Sequence, residues 1–138
     1  MPNGIDLILA DHATVASLFD AFDSTGDAGF VGQIVDQLAG HDDAEHGALY
    51  PLAAVLLDDA GLLERAVAAH SAIKRQIDHL KSQEGPPFTD AVAVLRSLVE
   101  AHVADEQKAL LPALRSAATD RQLDELGGRI LQLKQRGG

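Results

Sequence analysis

Two stretches of this chain carry the residues capable of chemistry, and the second repeats the first. His41-Asp42-Asp43-Ala44-Glu45-His46-Gly47-Ala48-Leu49-Tyr50-Pro51 returns, loosened, as His102-Val103-Ala104-Asp105-Glu106-Gln107-Lys108-Ala109-Leu110-Leu111-Pro112. Both read H-x-x-x-E, then Ala-Leu, then Pro ten residues after the His. On a helix, positions four apart lie about 40° apart around the axis and about 6 Å along it, so each copy aims a His and a Glu the same way. Two such pairs facing each other across a bundle form a cage of imidazole and carboxylate. That is the donor set of a two-metal site.

The periodicity predicts the elements that must position these groups. A first helix is expected from Asn3 to about Phe22, with Asn3 as cap, Asp6 in the first turn and an apolar stripe of Ile8, Val15, Phe19 and Phe22 on which His12 falls. Asp23 to Gly29 reads as a loop by composition. A second helix from about Phe30 to Leu57 has a buried stripe Ile34, Leu38, His41, Glu45, Ala48, Leu52, Val55 and is expected to kink at Pro51. A third covers about Leu62 to Ser82, with Val67, His70, Ile73, Ile77 and Leu80 on one face. After Glu84-Gly85-Pro86-Pro87, Thr89 or Asp90 is expected to cap a fourth helix reaching Ala117, its stripe passing through His102, Glu106, Ala109 and Ala113 and kinking at Pro112. A capping box at Thr119 to Gln122 opens a short fifth helix over 119–136, weakened at Gly127-Gly128 and frayed at Gly137-Gly138.

No stretch alternates with period two long enough to make a strand. The expected fold is therefore all-α: an antiparallel up-down-up-down four-helix bundle with a short C-terminal helix across one end or along a groove. Residues 1–138 form one domain made of two pseudo-repeats, 3–58 and 62–117. In that repeat His12 corresponds to His70, and His41 and Glu45 to His102 and Glu106. Each hairpin then brings two imidazoles and a carboxylate to a common centre.

This pattern resembles the hemerythrin-like (HHE cation-binding) domains, whose signature is a His in the first helix followed by H-x-x-x-E and an aromatic-Pro. An actinobacterial type of such domain suits the Ala/Asp/Val-rich composition. The resemblance implies a non-haem di-iron centre with a bridging oxygen species, in which His12, His41, His70 and His102 are terminal ligands and Glu45 and Glu106 bridge. The oxygen-carrying members have a second His one turn after the helix-three His, where this chain has Lys74. That departure implies a less saturated centre, suited to reaction with hydrogen peroxide, nitric oxide or dioxygen in a catalase- or peroxidase-like defence against oxidants. The alternative is an O₂-, NO- or iron-binding or sensing protein without turnover. Tyr50 is the candidate catalytic residue: on an ideal wheel it lies about 140° from Glu45, and the proline kink could rotate it inward. His46 is open between solvated residue and ligand, while His79, Asp42, Asp43 and Asp105 read as ordinary surface positions.

Bulk composition narrows the rest. A formal charge of −10 disfavours nucleic-acid and anionic-membrane partners, and aromatics at 4 per cent without Trp disfavour a base-stacking platform. The absence of Cys removes disulfides, thiolate zinc sites and cysteine nucleophiles. It also fits the cytoplasmic location expected from an N-terminus without a basic signal region. A metal-free interaction bundle is the remaining reading, and it would bury six ionisable groups without compensation.

Overall fold

Short polar signals set where the helices start and stop. The computed structural model describes residues 3–137, and among these the chain forms five helices and no strand. Asn3 Oδ1 accepts the Asp6 N–H at 2.9 Å and caps α1 (Gly4–Thr25). Gly26, at φ 67°, takes the left-handed turn that glycine enters without strain, and Asp27 immediately caps α2 (28–56). The loop expected at 23–29 thus shrinks to two residues. Asp59 caps α3 (Ala60–Lys81). α4 (86–117) starts earlier than Thr89 or Asp90, because Gly85 at φ 64° turns the chain and Pro86 and Pro87 fill the first turn, where no N–H is needed. The capping box before α5 (Asp120–Gly137) is reciprocal: Thr119 Oγ1 accepts the Gln122 N–H at 3.1 Å and Gln122 Oε1 the Thr119 N–H at 2.8 Å. α5 runs unbroken through Gly127 and Gly128, and of the pair expected to fray, Gly138 lies outside the described residues.

The expected proline kinks take a specific form. In α2 the segments Ala28–Ala44 and Tyr50–Leu56 flank a π-turn, Glu45–Leu49; in α4, Pro86–Asp105 and Leu111–Ala117 flank Glu106–Leu110. The N–H groups of Tyr50 and Leu111 reach back five residues, to the carbonyls of Glu45 and Glu106. A widened turn just before each proline absorbs its missing N–H within a continuous helix. It also inserts one residue and so rotates everything downstream. Leu49, expected beside the stripe, is fully buried; Tyr50 and Ala53 join it, while Leu52 is only half-buried and Val55 is 81% exposed. Leu110, Leu111 and Leu114 likewise replace Ala109 and Ala113. On α3, Ala66 is buried and the expected Val67 is largely exposed.

The four long helices pack as two antiparallel hairpins, α1 with α2 and α3 with α4, in the expected bundle. α5 lies in the groove between α1 and α2. Leu126 fills the space above Gly4, where a Cβ would come within 2.3 Å of Leu126 Cγ, and Leu133 sits against Gly47 in the first π-turn. The apolar core is divided. One cluster joins Ile5, Ile8, Leu49, Ala53, Leu114 and the α5 residues Leu123, Leu126 and Ile130. The other joins Val15, Phe19, Phe22, Ile34, Leu95 and Val99. Between them lies a layer of buried polar side chains. Among the described residues, no helix is long and apolar enough to cross a membrane.

Candidate metal centre

That polar layer holds all six residues singled out by the repeat. His12, His41, His70 and His102 are buried, as are Glu45 and Glu106, at 0% and 2% exposure. Within each H-x-x-x-E the helix brings the pair together: His41 Nε2 is 2.9 Å from Glu45 Oε1, and His102 Nε2 is 3.4 Å from Glu106 Oε2. The carboxylates also cross the bundle. Glu45 Oε1 is 2.9 Å from His70 Nε2, and Glu106 Oε1 is 3.1 Å from His12 Nε2. Two groups result, His12-His41-Glu45-Glu106 and Glu45-His70-His102-Glu106, each with one donor atom per residue within 4.8 Å of the others. Both carboxylates belong to both groups.

Three imidazoles are held by acceptors on neighbouring helices. His12 Nδ1 meets Gln107 Oε1 at 2.9 Å, His41 Nδ1 meets Asp11 Oδ2 at 2.9 Å, and His70 Nδ1 meets Asp42. Fixing Nδ1 outward fixes Nε2 inward, the arrangement by which outer partners orient metal-binding histidines. Asp11 is itself buried and also receives Gln37 and, from α5, Lys134. Sequence spacing misses Asp11 and Gln107 and misreads Asp42 as a surface residue. Each acts across helices, so no single-helix spacing carries the signal. The only hint is that each adjoins a singled-out residue: Asp11 before His12, Asp42 after His41, Gln107 after Glu106.

Tyr50 is turned into the centre. Its hydroxyl lies 2.9 Å from His70 Nε2, 3.4 Å from Glu45 Oε1 and 3.5 Å from Glu106 Oε2. The π-turn does this, since one residue more per turn brings Tyr50 round to the face of Glu45. The phenol's pKa is driven upward by burial and by the Glu45 and Glu106 charges, so it keeps its proton. His46 stands outside, half exposed, 3.2 Å from Asp42 and edge-on to Tyr50 and His70. Lys74 is 64% exposed and pairs with Asp42 at 3.1 Å, while His79 and Asp43 are at the surface.

Electrostatics within the layer favour charge. Burial alone would raise Glu45, but hydrogen bonds from His102, His41 and His70 hold it well below the usual carboxylate range. Even so, His12 Nε2, His41 Nε2, Glu45 Oε2 and Glu106 Oε1 are buried without a well-aligned hydrogen bond, three of them despite the close imidazole–carboxylate approaches given above. Leaving a buried polar atom unpaired costs about 1–3 kcal/mol. Cations among those inward-facing atoms would satisfy all four. Imidazole and carboxylate donors without thiolate fit a first-row transition ion.

Comparison with known proteins places the chain in a family and supports its fold. The family model for the hemerythrin HHE cation binding domain matches residues 3–114. A crystal structure of a hemerythrin HHE cation binding domain-containing protein from Mycobacterium kansasii superposes with a TM-score of 0.85 at 21% identity, covering 99% of this chain and 88% of that one, and so shares the fold. A DNA nickase from Nostoc sp. is 29% identical over 126 residues, which span 87% of this chain but only 36% of the relative's length. Built around a buried His/Glu layer of the kind with which such domains bind metal ions, the chain belongs to the hemerythrin HHE family.

Proposed function

We propose that this chain is a non-haem di-iron protein that reacts with small oxidants, hydrogen peroxide first among them, in a catalase- or peroxidase-like role. Position 74 is the observation that carries the reading. Lys74 turns outward to Asp42, so α3 supplies one inward imidazole, and beside His70 Nε2 lies the protonated Tyr50 hydroxyl rather than a second imidazole. A protein donor set left incomplete on that side suits reaction with an incoming molecule better than saturated storage. On this reading His12 and His41 hold one iron, His70 and His102 the other, and Glu45 and Glu106 bridge them. When bound, the iron pair supplies two-electron redox capacity. The chain's own residues do the rest. Asp11, Asp42 and Gln107 aim the imidazoles, and Tyr50 keeps a proton at its Oη within reach of the molecule that enters. The charge of −10 supports a small-molecule partner over a nucleic-acid phosphate backbone.

Elemental analysis with a visible spectrum on protein purified without a His tag is the first test. Two irons per chain are expected, with Glu45→Ala and Glu106→Ala each losing metal while far-UV circular dichroism stays helical. Oxygen evolution from hydrogen peroxide should exceed that of free iron at equal concentration. Wild-type protein without transition metal refutes the centre; a loaded protein that binds O₂ reversibly without turnover replaces the enzymatic reading with a carrier.

A further inference from the structure

The two halves of the polar layer are alike in sequence but not in their surroundings. Among the described residues, the buried side-chain atoms that lack a well-aligned hydrogen bond are His12 Nε2, His41 Nε2, Glu45 Oε2 and Glu106 Oε1, and their residues make up one of the two groups. The carboxylates are shared with the other group, but both unpaired imidazole nitrogens are on the His12/His41 side. On the opposite side the nitrogens already have partners. His70 Nε2 lies 2.9 Å from His102 Nε2 and 2.9 Å from the Tyr50 hydroxyl. Taking up an ion relieves the first group of atoms that nothing else satisfies; the second must first give up bonds it has.

The outer partners differ in the same sense. Asp11 is fixed at both oxygens: Oδ1 accepts from Gln37 Nε2 at 3.2 Å and from Lys134 Nζ, leaving Oδ2 for His41 Nδ1 at 2.9 Å. The Asp11 side chain is 8% exposed and that of Lys134 30%, so salt screens the pair weakly. Gln107 holds His12 at 2.9 Å. In the other half Asp42 is divided among His70, His46 and Lys74, and the Lys74 side chain is 64% exposed. An ion pair so open contributes little. His102 meets its neighbours through Nε2 alone. Because Lys134 comes from α5, which lies outside both repeats, this inequality is added to the duplicated hairpins rather than inherited from them. We propose that the His12/His41 half takes its ion first and holds it more tightly, and that Lys134 is a positioning residue that secures this through Asp11. The inference rests on the di-iron reading only for the second ion. The looser position is then the one beside Tyr50, where one divalent ion can be exchanged for another while the first half stays filled.

Anaerobic titration of the metal-free full chain with Co²⁺ against a competing chelator tests this, with far-UV circular dichroism on every variant. Wild type should show two steps about tenfold or more apart, the size of effect that outer partners of a ligating His produce. His102→Gln should keep the tighter step and lose the weaker, and His12→Gln the reverse. Lys134→Met should weaken the tighter step about fivefold, as a partly buried ion pair supports, and leave the weaker one unchanged. Lys134→Arg should restore it, a rescue by charge that a merely structural contact would not show. The proposal is overturned if the two steps lie within threefold of each other, if His102→Gln removes the tighter one, or if Lys134→Met moves both or neither. Two equal steps would leave the di-iron reading standing. A single step, lost in His12→Gln and kept in His102→Gln, would sink the di-iron reading and uphold the His12/His41 half as the tight one.

Discussion

Asp11→Ala gives the sharpest test of how the imidazoles are held. Asp11 accepts from His41 Nδ1 at 2.9 Å, from Gln37 Nε2 at 3.2 Å and from Lys134 Nζ. Opposite it, His70 leans on Asp42, which has no contact with Asp11. A hydrogen bond to a charged group contributes about 1.5–3 kcal/mol, which at about 1.4 kcal/mol per decade is about 10- to 150-fold in affinity. Removing an outer partner of a metal-binding His typically weakens metal binding about 10- to 100-fold, so the two routes agree. The loss should fall on the His12/His41 half alone. Asp11→Asn keeps an acceptor but not the charge, and the difference between charged and neutral hydrogen bonds, about 1–1.5 kcal/mol, predicts a loss of about tenfold. Anaerobic titration of metal-free protein with Fe²⁺ against a competing chelator resolves two binding steps; one should weaken in the order wild type, Asn, Ala, and the other should stay within threefold. Equal weakening of both steps, or of neither, would refute the assignment of Asp11 to His41.

Three further outcomes are expected. Tyr50→Phe should retain both metals, because the six other donors remain, yet slow peroxide turnover by at least tenfold; unchanged turnover in a stopped-flow assay removes the hydroxyl from the chemistry. In metal-free protein, burial tends to lower His41, but hydrogen bonds to Asp11 and Glu45 override it and lift it to about 10; His102, opposed by burial and held by Glu106 and Glu45, reaches about 9. Both folded values lie above the ordinary 6.5, so the stability these pairs contribute is complete below about pH 6.5 and is lost as pH rises through 9 and then 10. Metal uptake at neutral pH must accordingly expel protons and tighten as pH rises from 6.5 to 8.5, which a lightly buffered titration would register. Gly4→Ala would drive its Cβ to 2.3 Å from Leu126 Cγ; overpacking of this kind costs about 1–3 kcal/mol, read by chemical denaturation with metal stoichiometry unchanged.

The helices and the six inward groups were legible because each depends on a period within one helix. His41 and Glu45 share a face by spacing alone, and the matched spacing of His102 and Glu106 reveals the repeat. What stayed hidden depends on geometry between helices or on a change of period. Val55 looked buried because an unbroken α-wheel carries the stripe from Glu45 through Ala48 and Leu52 to it; one extra residue in the turn at 45–49 sends Ala53 inward instead. The same turn swings Tyr50 inward, and the proline after it was the only visible sign. Asp11, Asp42 and Gln107 were illegible as His partners for another reason: which imidazole each one meets is decided by how the hairpins lie against each other. Pro86 and Pro87 looked like a stop signal but begin a helix, because a first turn has no use for their missing donors.

The divided core has a consequence for how this scaffold can diversify. Below the histidines the bundle is sealed, with α5 laid across its first hairpin and Lys134 reaching up to Asp11. Above them a second cluster, with Phe19, Ile34 and Leu95 at its heart, closes the bundle without any residue of α5. Substitutions in one cluster can therefore be absorbed by repacking there while the other keeps its own helices in register. The two ends of the bundle are held by different means, one by aromatic and aliphatic packing among α1 to α4 alone, the other by the close approach of α5 to Gly4 and Gly47.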